Sequence, residues 1–279
     1  MYITFENEFG SIRITGGGDG SWRLIAAEGL DPVQYDVQAA YMSGREGRAV
    51  SALQSLERTI TLKGDIAVKN SEQVLARVSR ILSCEGKLKI VKNTKQRMIT
   101  ARCTAFVTER EQGGIRPFVM QFVCDDPFFT DLTAKERDIS TVEKLLYGSF
   151  TLSDGIYLSI GYADAILTNS GVKAAEPVIT IGCHKDIQGS VITITNRTTG
   201  QELRLNLALK AGESLVVDIP QRRILADNIQ RFDILSEDSF LSEFHLLPGN
   251  NQLTIATDHN SDRLTARVSY YNRYNEAMI

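Results

Sequence analysis

The chain has 279 residues, 43% hydrophobic and 23% charged, with a formal net charge of −3. That length suffices for two domains of ordinary size, and no apolar run approaches the roughly 18 residues that span a bilayer. The net charge argues against a dedicated nucleic-acid binder, because phosphates are bound by clustered Lys and Arg. Basic pairs such as Arg222–Arg223 are interpreted as solvated surface, and the acidic N-terminus predicts no secretion signal.

Most of the sequence alternates apolar and polar residues between short turn signals, which predicts a mainly β protein. Residues 33–41 are the first predicted strand. One face of it carries Val33, Tyr35, Val37, Ala39 and Tyr41. Further strands are predicted over residues 58–66, 87–93, 98–109 and 115–124, and a Gln-Gly-Gly turn at residues 112–114 joins the last two as a hairpin.

One segment, residues 70–83, breaks this period. Its apolar residues recur at helical spacing: Val74, Leu75, Val78, Ile81 and Leu82. Asn70 or Ser71 can cap the helix, and Glu72 lies in its first turn. We therefore expect one helix packed across a sheet; a partner-binding face is the less favoured interpretation of the apolar stripe.

Beyond residue 129 the pattern changes. Residues 133–144 are charged and aperiodic, and short strands then resume at residues 155–162, 176–183, 190–207, 213–219, 251–258 and 263–274. Regular short strands without a second clear helix predict a β-sandwich. The predicted domains are therefore residues 1–132, a β-barrel or sandwich with one packed α-helix, and residues 133–279, a second β-sandwich.

The stretch CDDPFF, residues 124–129, lies at this change of domain. Its proline ends strand pairing, and its two phenylalanines can plug the end of a core. Asp125 and Asp126 are neighbours on a strand and point to opposite faces, which does not suit a joint acid–base role. A structural turn is favoured over a cation site.

The sequence predicts no catalytic, cofactor-binding or metal-binding residue and no cofactor. His184, His245 and His259 have no neighbour at metal-ligand spacing, and no GxSxG or HExxH motif is present. An enzyme is disfavoured, although a site assembled from distant residues stays open.

Three other sequence features also favour structural interpretations. The cysteines Cys84, Cys103, Cys124 and Cys183 lie far apart without a CxxC pair, which is typical of reduced, mostly buried thiols from a cytosolic environment. GGGDG at residues 16–20 lacks a GK[ST] ending and predicts a flexible hairpin loop. Asn196-Arg197-Thr198 matches a glycosylation acceptor formally but is interpreted as a turn.

Four stretches in a characteristic order cover most of the chain. They are GLDPVQYDVQ with GREGR and RTITLKGDI; a helix leading into GKLKI; CDDPFF; and ITNRTTGQELRLNLALKAGESLVVD with LLPGNNQLTI. In this order and at these spacings they resemble the distal tail protein (Dit) family of siphophages and prophages. The resemblance implies an N-terminal ring-forming domain and a C-terminal galectin-like β-sandwich.

The resemblance also implies a structural platform at the virion tail tip, made in the bacterial host cytoplasm. The expected partners are the chain itself in a hexameric ring, the major tail (tube) protein, the tail-associated hub protein and receptor-binding or baseplate proteins. DNA would pass through the ring without specific binding, which suits a negatively charged chain. The chain lacks the large insertions of longer relatives, so a plain platform is expected, with no membrane contact.

A ring needs two different surfaces on each subunit, and open β-edges are one way to provide them. Residues 43–56, with Gly44 and Gly47, are small, polar and too long for a tight hairpin. We interpret them as an arm that reaches the neighbouring subunit; an ordinary surface loop is the alternative.

A galectin-like domain also suggests sugar binding, but the residues do not support a lectin site. The HxNxR motif is missing after His245, and the only tryptophan, Trp22, lies in the first domain. LLPGNN predicts a turn, with Gly249 and Asn250 in conformations that other residues resist. Tyr270, Tyr271 and Tyr274 form either an exposed patch or a strand on the core. A carbohydrate-binding adhesion module is the alternative function, and a glycan-processing enzyme is a distant third.

Overall fold

The computed structural model describes residues 1–16, 21–44, 46–67, 71–139, 162–184, 186–257 and 264–277. It divides into unit 1, Met1–Leu132 with Arg273–Ile279, and unit 2, Thr133–Asn272. In the described part of the chain, no helix is long and apolar enough to cross a membrane.

Unit 1 contains a closed β-barrel. Its strands are β1 (Tyr2–Asn7), β2 (Gly10–Thr15), β3 (Trp22–Glu28), β4 (Tyr35–Tyr41), β5 (Arg48–Ser55), β6 (Arg58–Ile66), β7 (Gly86–Lys92), β8 (Lys95–Thr108), β9 (Arg116–Cys124), β10 (Phe129–Thr130) and, from the C-terminus, β21 (Arg273–Tyr274). Strands β8-β7-β1-β2-β3-β6-β9 follow one another, and pairing of β8 with β9 closes the ring of strands. Pairing is continuous around the ring except between β2 and β3, which meet only at Thr15 and Arg23.

The barrel forms because its strands alternate small or apolar inward residues with polar outward ones. The inward side chains include Ile3, Phe5, Ile60, Leu62 and Phe122, all fully or almost fully buried. The hairpin predicted at residues 112–114 is confirmed: β8 and β9 are antiparallel, and Gly113 and Gly114 have φ of 59° and 80°. Strands β1–β3 were not among the predicted elements.

The predicted helix is confirmed as α1 (Ser71–Leu82). Val78, Ile81 and Leu82 are buried in the core of unit 1, and Val74 and Leu75 pack against it. Asn70 and the side chain of Ser71 lie outside the described residues, as does most of the predicted GGGDG loop.

The last residues of the chain return to unit 1. Strand β21 pairs with β10, the backbone N–H of Ala277 donates to the carbonyl oxygen of Leu30 at 3.0 Å, and Ala277 is buried in the core. The sequence-based division had assigned residues 273–279 to the second domain. The difference arises because the predicted strand over residues 263–274 is interrupted at Tyr271–Asn272.

Unit 2 has two further sheets over a common core. Its strands are β11 (Lys135–Ile139), β12 (Tyr162–Asn169), β13 (Val178–Cys183), β14 (Ile187–Asn196), β15 (Gln201–Leu209), β16 (Ser214–Asp218), β17 (Arg223–Ala226), β18 (Ile229–Gln230), β19 (Gly249–Thr257) and β20 (Leu264–Tyr270), with a 3-10 turn at Phe232–Ile234. One sheet has the order β11-β20-β13-β16-β17-β18 and the other β12-β19-β14-β15. The mainly β fold class is confirmed.

One expectation about unit 2 was wrong. Residues 133–144 were interpreted as aperiodic, but Lys135–Ile139 forms β11 along β20. The strand is an edge strand, so its charged side chains Glu136, Arg137 and Asp138 lie exposed, and only Ile139 is buried. The predicted strand at residues 155–162 lies outside the described residues except for Tyr162.

Candidate assembly surface

The most unusual feature of unit 1 is the hairpin of β4 and β5. These two strands form a sheet of their own, separate from the barrel sheet. Most residues of the hairpin are exposed, including Leu53 at 61% and Tyr41 at 80%. The backbone N–H of Leu56 donates to the carbonyl oxygen of Gln34 at 3.0 Å and closes the base of the hairpin.

The hairpin has one apolar face. Val37 lies opposite Leu53, and Ala39 lies opposite Val50, across a bulge that leaves Ser51 as the extra residue. Directly opposed residues project to the same side of a sheet, so Ser55 and Arg48 share one face with six apolar residues: Tyr35, Val37, Ala39, Tyr41, Val50 and Leu53. We call these six residues the apolar hairpin face. In a single chain its large aliphatic side chains remain open to solvent, which is typical of an interaction surface.

The opposite face of the hairpin is polar and small. Asp36 lies opposite Gln54, Gln38 opposite Ala52, and Ala40 opposite Ala49. No Lys or Arg belongs to these described pairs. The hairpin is therefore amphipathic, with an apolar side and a side that attracts no polyanion.

The predicted arm is thus half of this hairpin. Residues 43–56 were expected to be a long connection between two strands. Instead, residues 48–55 form β5, which pairs with the predicted first strand, and only a short turn with Gly44 and Gly47 at φ of 78° and 85° connects them. The small and polar composition of β5 concealed its strand character.

Arg58 holds together the chain segments that meet at the base of the hairpin. Its guanidinium donates to the carbonyl oxygens of Gly29 (2.6 Å) and Asp31 (2.7 Å) before β4, and to that of Pro127 (2.7 Å) in CDDPFF. A fourth hydrogen bond goes to the carbonyl oxygen of Asn275. Burial lowers the pKa of Arg58, while Cys124 and Asp31 act in the opposite direction.

No local sequence pattern indicates this role of Arg58, because its position at the start of β6 resembles that of any surface arginine. In the structure it is 6% exposed and lies over the ring of Phe129 with its guanidinium carbon 4.6 Å from the ring centre. Cationic and hydrogen-bonding contacts of this kind are strongest in such desolvated surroundings.

The acidic residues of CDDPFF act at a corner. The Asp126 carboxylate accepts a hydrogen bond from the backbone N–H of Phe128 at 3.2 Å and two from Arg273, at 2.7 and 2.8 Å. Asp125 is exposed. Phe129 is fully buried, as expected for a residue that plugs a core.

No metal-binding cluster of His, Cys, Asp or Glu occurs among the described residues. The ring of His245 lies 3.2 Å from the side-chain nitrogen of Gln201, and His184 is exposed. His259 lies outside the described residues.

The four cysteines are free in the structure. Cys124 and Cys183 are buried, and Cys84 and Cys103 are half-buried. Burial raises the pKa of Cys124 to about 12, with Asp125 and Asp126 adding to the shift and Arg58 opposing it. A thiol with such a pKa stays protonated and is a poor nucleophile.

Most of the predicted turns of unit 2 are present. The side-chain oxygen of Asn196 accepts from the backbone N–H of Thr198 at 3.1 Å, and Gly200 has φ of 76°. Gly249 has φ of 97°, but Asn250 does not adopt a positive φ, so that detail of the LLPGNN prediction was wrong. Asn251 instead stabilises this turn with hydrogen bonds to the backbone of Leu247.

The tyrosine and arginine predictions have mixed outcomes. Tyr270 is buried in unit 2 and Tyr274 packs against the core of unit 1, while Tyr271 is exposed. Arg222 and Arg223 are exposed, as predicted, and they also form ion pairs, with Glu176 at 2.6 Å and Asp218 at 2.8 Å.

The comparisons with known proteins agree with this fold. Residues 170–274 match the model of a family described as siphovirus-type tail component, C-terminal domain. The predicted resemblance to the distal tail protein family is confirmed. No curated protein matches the chain.

Solved structures extend the Dit likeness to nearly the whole chain. The Dit protein of phage SPP1, described as a paradigm of the hub adsorption apparatus in phages infecting Gram-positive bacteria, matches with TM-score 0.64 and 13% identity, over 90% of this chain and 92% of that one. Chains from the phage P2 baseplate in its activated conformation, one with Ca and one with Sr, match with TM-scores of 0.53 and 0.52 at 10% identity, over 97% of both chains in each case.

At these identities the solved structures establish likeness of fold. The family model covers residues 170–274, less than half of the chain, and the whole-chain likeness is one of fold.

Proposed function

We propose that this chain is a structural, non-catalytic protein of a phage tail tip that assembles into a hexameric ring. The single observation that carries the proposal is the amphipathic β4–β5 hairpin, which exposes an apolar face from a barrel that is otherwise closed. An exposed face of this kind is costly in a monomer and is stabilised when another surface covers it.

The size of the hairpin suits an interface between subunits. Each strand reaches about 20 Å at roughly 3.3 Å per residue. Sixteen of the described residues from 35 to 55 are exposed. This is somewhat fewer than the about 20–30 residues per side of stable interfaces, so the hairpin would form the main part of such an interface and not all of it. The hydrogen bonds of Arg58 at the base of the hairpin hold this arm rigidly.

The hub and tube proteins of the tail are the proposed axial neighbours, and receptor-binding or baseplate proteins the proposed peripheral ones. The Dit likeness supports this arrangement, as does the division of the chain into a barrel unit with an arm and a separate sandwich unit. The predicted boundaries, 1–132 and 133–279, enter this proposal with residues 273–279 reassigned to the barrel.

The polar face of the hairpin is the proposed surface past which DNA moves. Its outward residues include Asp36, Gln38 and Gln54. These residues do not attract phosphates, so a channel lined by them would not retain the passing DNA.

The mass of the purified full-length chain tests the ring. Light scattering after size exclusion is expected to give six times the chain mass of 31.0 kDa, and negative-stain images should show rings with a central hole. A chain that remains monomeric and binds glycans on an array would contradict the ring and favour the carbohydrate-binding adhesion module.

A further inference from the structure

A second exposed apolar patch lies on the outer wall of the barrel. It consists of Ile25 in β3, Lys63 in β6, Val107 in β8, and Val119 and Ile115 in and beside β9, and we call it the side stripe. The four aliphatic residues are all exposed, with Val107 at 60% and Ile25 at 64%.

Strand register brings the residues of the side stripe together. Val119 lies opposite both Val107 and Lys63, and Lys63 lies opposite Ala26, next to the bulged residue Ile25. The stripe thus crosses four neighbouring strands, or roughly 15 Å at about 4.8 Å per strand. The ammonium group of Lys63 is held by Glu28 at 2.6 Å, which leaves its methylene chain available for apolar contact.

The apolar hairpin face and the side stripe account for nearly all exposed apolar side chains of unit 1. In its described part, the large apolar residues with high exposure lie in the hairpin and its flanks or in the side stripe, with the exceptions of Met1 and Phe9. The guanidinium carbon of Arg80 covers the ring of Phe9, 5.1 Å from the ring centre.

We propose that the side stripe is the acceptor for the apolar hairpin face of the next copy of this chain. The inference rests on the ring proposed above and specifies its interface. A closed ring of identical subunits requires two different, complementary surfaces on every copy, and unit 1 presents two separate apolar surfaces. The hairpin would lie on the barrel wall as one sheet packs on another, at about 10 Å.

The occupant is a second copy because a ring of identical subunits must supply both partners of each interface from the same chain. Strands β6, β9 and β8 are paired on both sides, so this part of the wall offers side chains and no free strand edge. Face-to-face packing of aliphatic residues is therefore the interaction that the wall supports, and the apolar hairpin face provides the matching residues.

Two single substitutions test this pairing. Leu53→Asp disables the hairpin and leaves the side stripe intact, while Val119→Asp does the reverse. Both residues are exposed, so each variant is expected to stay folded and to remain monomeric at a concentration where the wild type is a complete ring. Ile166→Asp, an equally exposed site in unit 2, is the matched control and is expected to form the ring.

Mixing the two variants gives the decisive result. The intact hairpin of the Val119→Asp chain can bind the intact stripe of the Leu53→Asp chain, but the resulting pair has no further intact surface. An equimolar mixture should therefore stop at a heterodimer of twice the chain mass. A mixture that remains monomeric overturns the pairing.

A cross-linking measurement separates failure of the pairing from failure of the ring. A chain with both Leu53→Cys and Val119→Cys should form a ladder of disulfide-linked species under oxidation, and neither single variant should. If the wild type forms a ring while Val119→Asp also forms it and the ladder is missing, the side stripe is not the acceptor and the ring stands. If the wild type is monomeric, the proposed function and this inference both fail.

Discussion

The barrel and the hairpin of unit 1 use the same sequence pattern with opposite results. Leu62 in β6 is fully buried, whereas Val37 in β4 is 51% exposed, although both lie between polar neighbours. The difference lies in what covers the apolar face: six other strands and a helix for the barrel, and nothing within the β4–β5 sheet for the hairpin. Alternation therefore predicts a strand and its faces, but it does not identify the surface that covers the apolar face.

The largest expected effect comes from a matched pair of leucine truncations. Leu62→Ala should lower the free energy of unfolding by about 2–5 kcal/mol, since it leaves a cavity in the core. Leu53→Ala should change the stability of the dissociated chain by less than about 0.5 kcal/mol. Denaturant titration of both variants at low protein concentration tests the contrast, and equal losses would show that the hairpin packs within its own chain.

Arg58→Met should destabilise unit 1 by roughly 3 kcal/mol, because it leaves several buried carbonyl oxygens without a donor. The exposed pair of Arg102 and Glu85 provides the control: Arg102→Met should cost no more than about 1 kcal/mol. Hydrogen exchange should also show loss of protection at residues 29–34 and 275–277 in the Arg58 variant only. Unchanged hydrogen exchange at these residues would show that Arg58 does not hold the base of the hairpin together.

Two glycines provide a smaller contrast. A β-carbon at Gly64 would lie 2.1 Å from the carbonyl oxygen of Arg23 and 2.8 Å from the ring of Phe118. Gly64→Ala should therefore cost about 1–3 kcal/mol through overpacking. At Gly44 in the hairpin turn no atom lies within 4 Å, so Gly44→Ala should cost only about 1 kcal/mol for its positive φ. Thermal melts of the two variants should rank in that order.

The smallest effect concerns thiol chemistry. Cys124, whose pKa is raised to about 12, should resist alkylation by iodoacetamide at pH 8, while the half-buried Cys84 should react first. Because burial raises the pKa of Cys124, its neutral thiol stabilises the fold fully below the unfolded pKa of about 8.5. This stabilisation is lost as the pH rises toward 12. Mass spectrometry of labelled native protein gives the order, and rapid labelling of Cys124 would contradict its burial.

Sequence reasoning was most successful where the apolar pattern is long and its apolar residues are buried in the core. The alternation over residues 58–66 and 115–124 and the helical spacing from Val74 to Leu82 predicted elements that are present in the barrel unit. It missed β11 because an exposed edge strand of Lys135–Ile139 lacks alternation. Similarly, β5 contains serines and alanines whose strand character depends on pairing with β4.

The remaining features depend on contacts distant in sequence. Arg58 binds the carbonyl oxygen of Asn275, more than 200 positions away, and no local signal indicates such a partner. The return of residues 273–277 to unit 1 relies on a two-residue strand, which is below the length at which periodicity can be recognised. The side stripe is visible only once the register of β3, β6, β8 and β9 is known.

The central claim is that the β4–β5 hairpin joins copies of this chain into a ring. Its most direct test replaces residues 35–55 with a short Gly-Ser linker. Such a linker can bridge the gap, because a 3.0 Å hydrogen bond already joins the flanking residues Leu56 and Gln34. Light scattering should give six chain masses for the full chain and a single chain mass for the shortened one, whose barrel should remain folded. An assembly of unchanged size without the hairpin would contradict the claim.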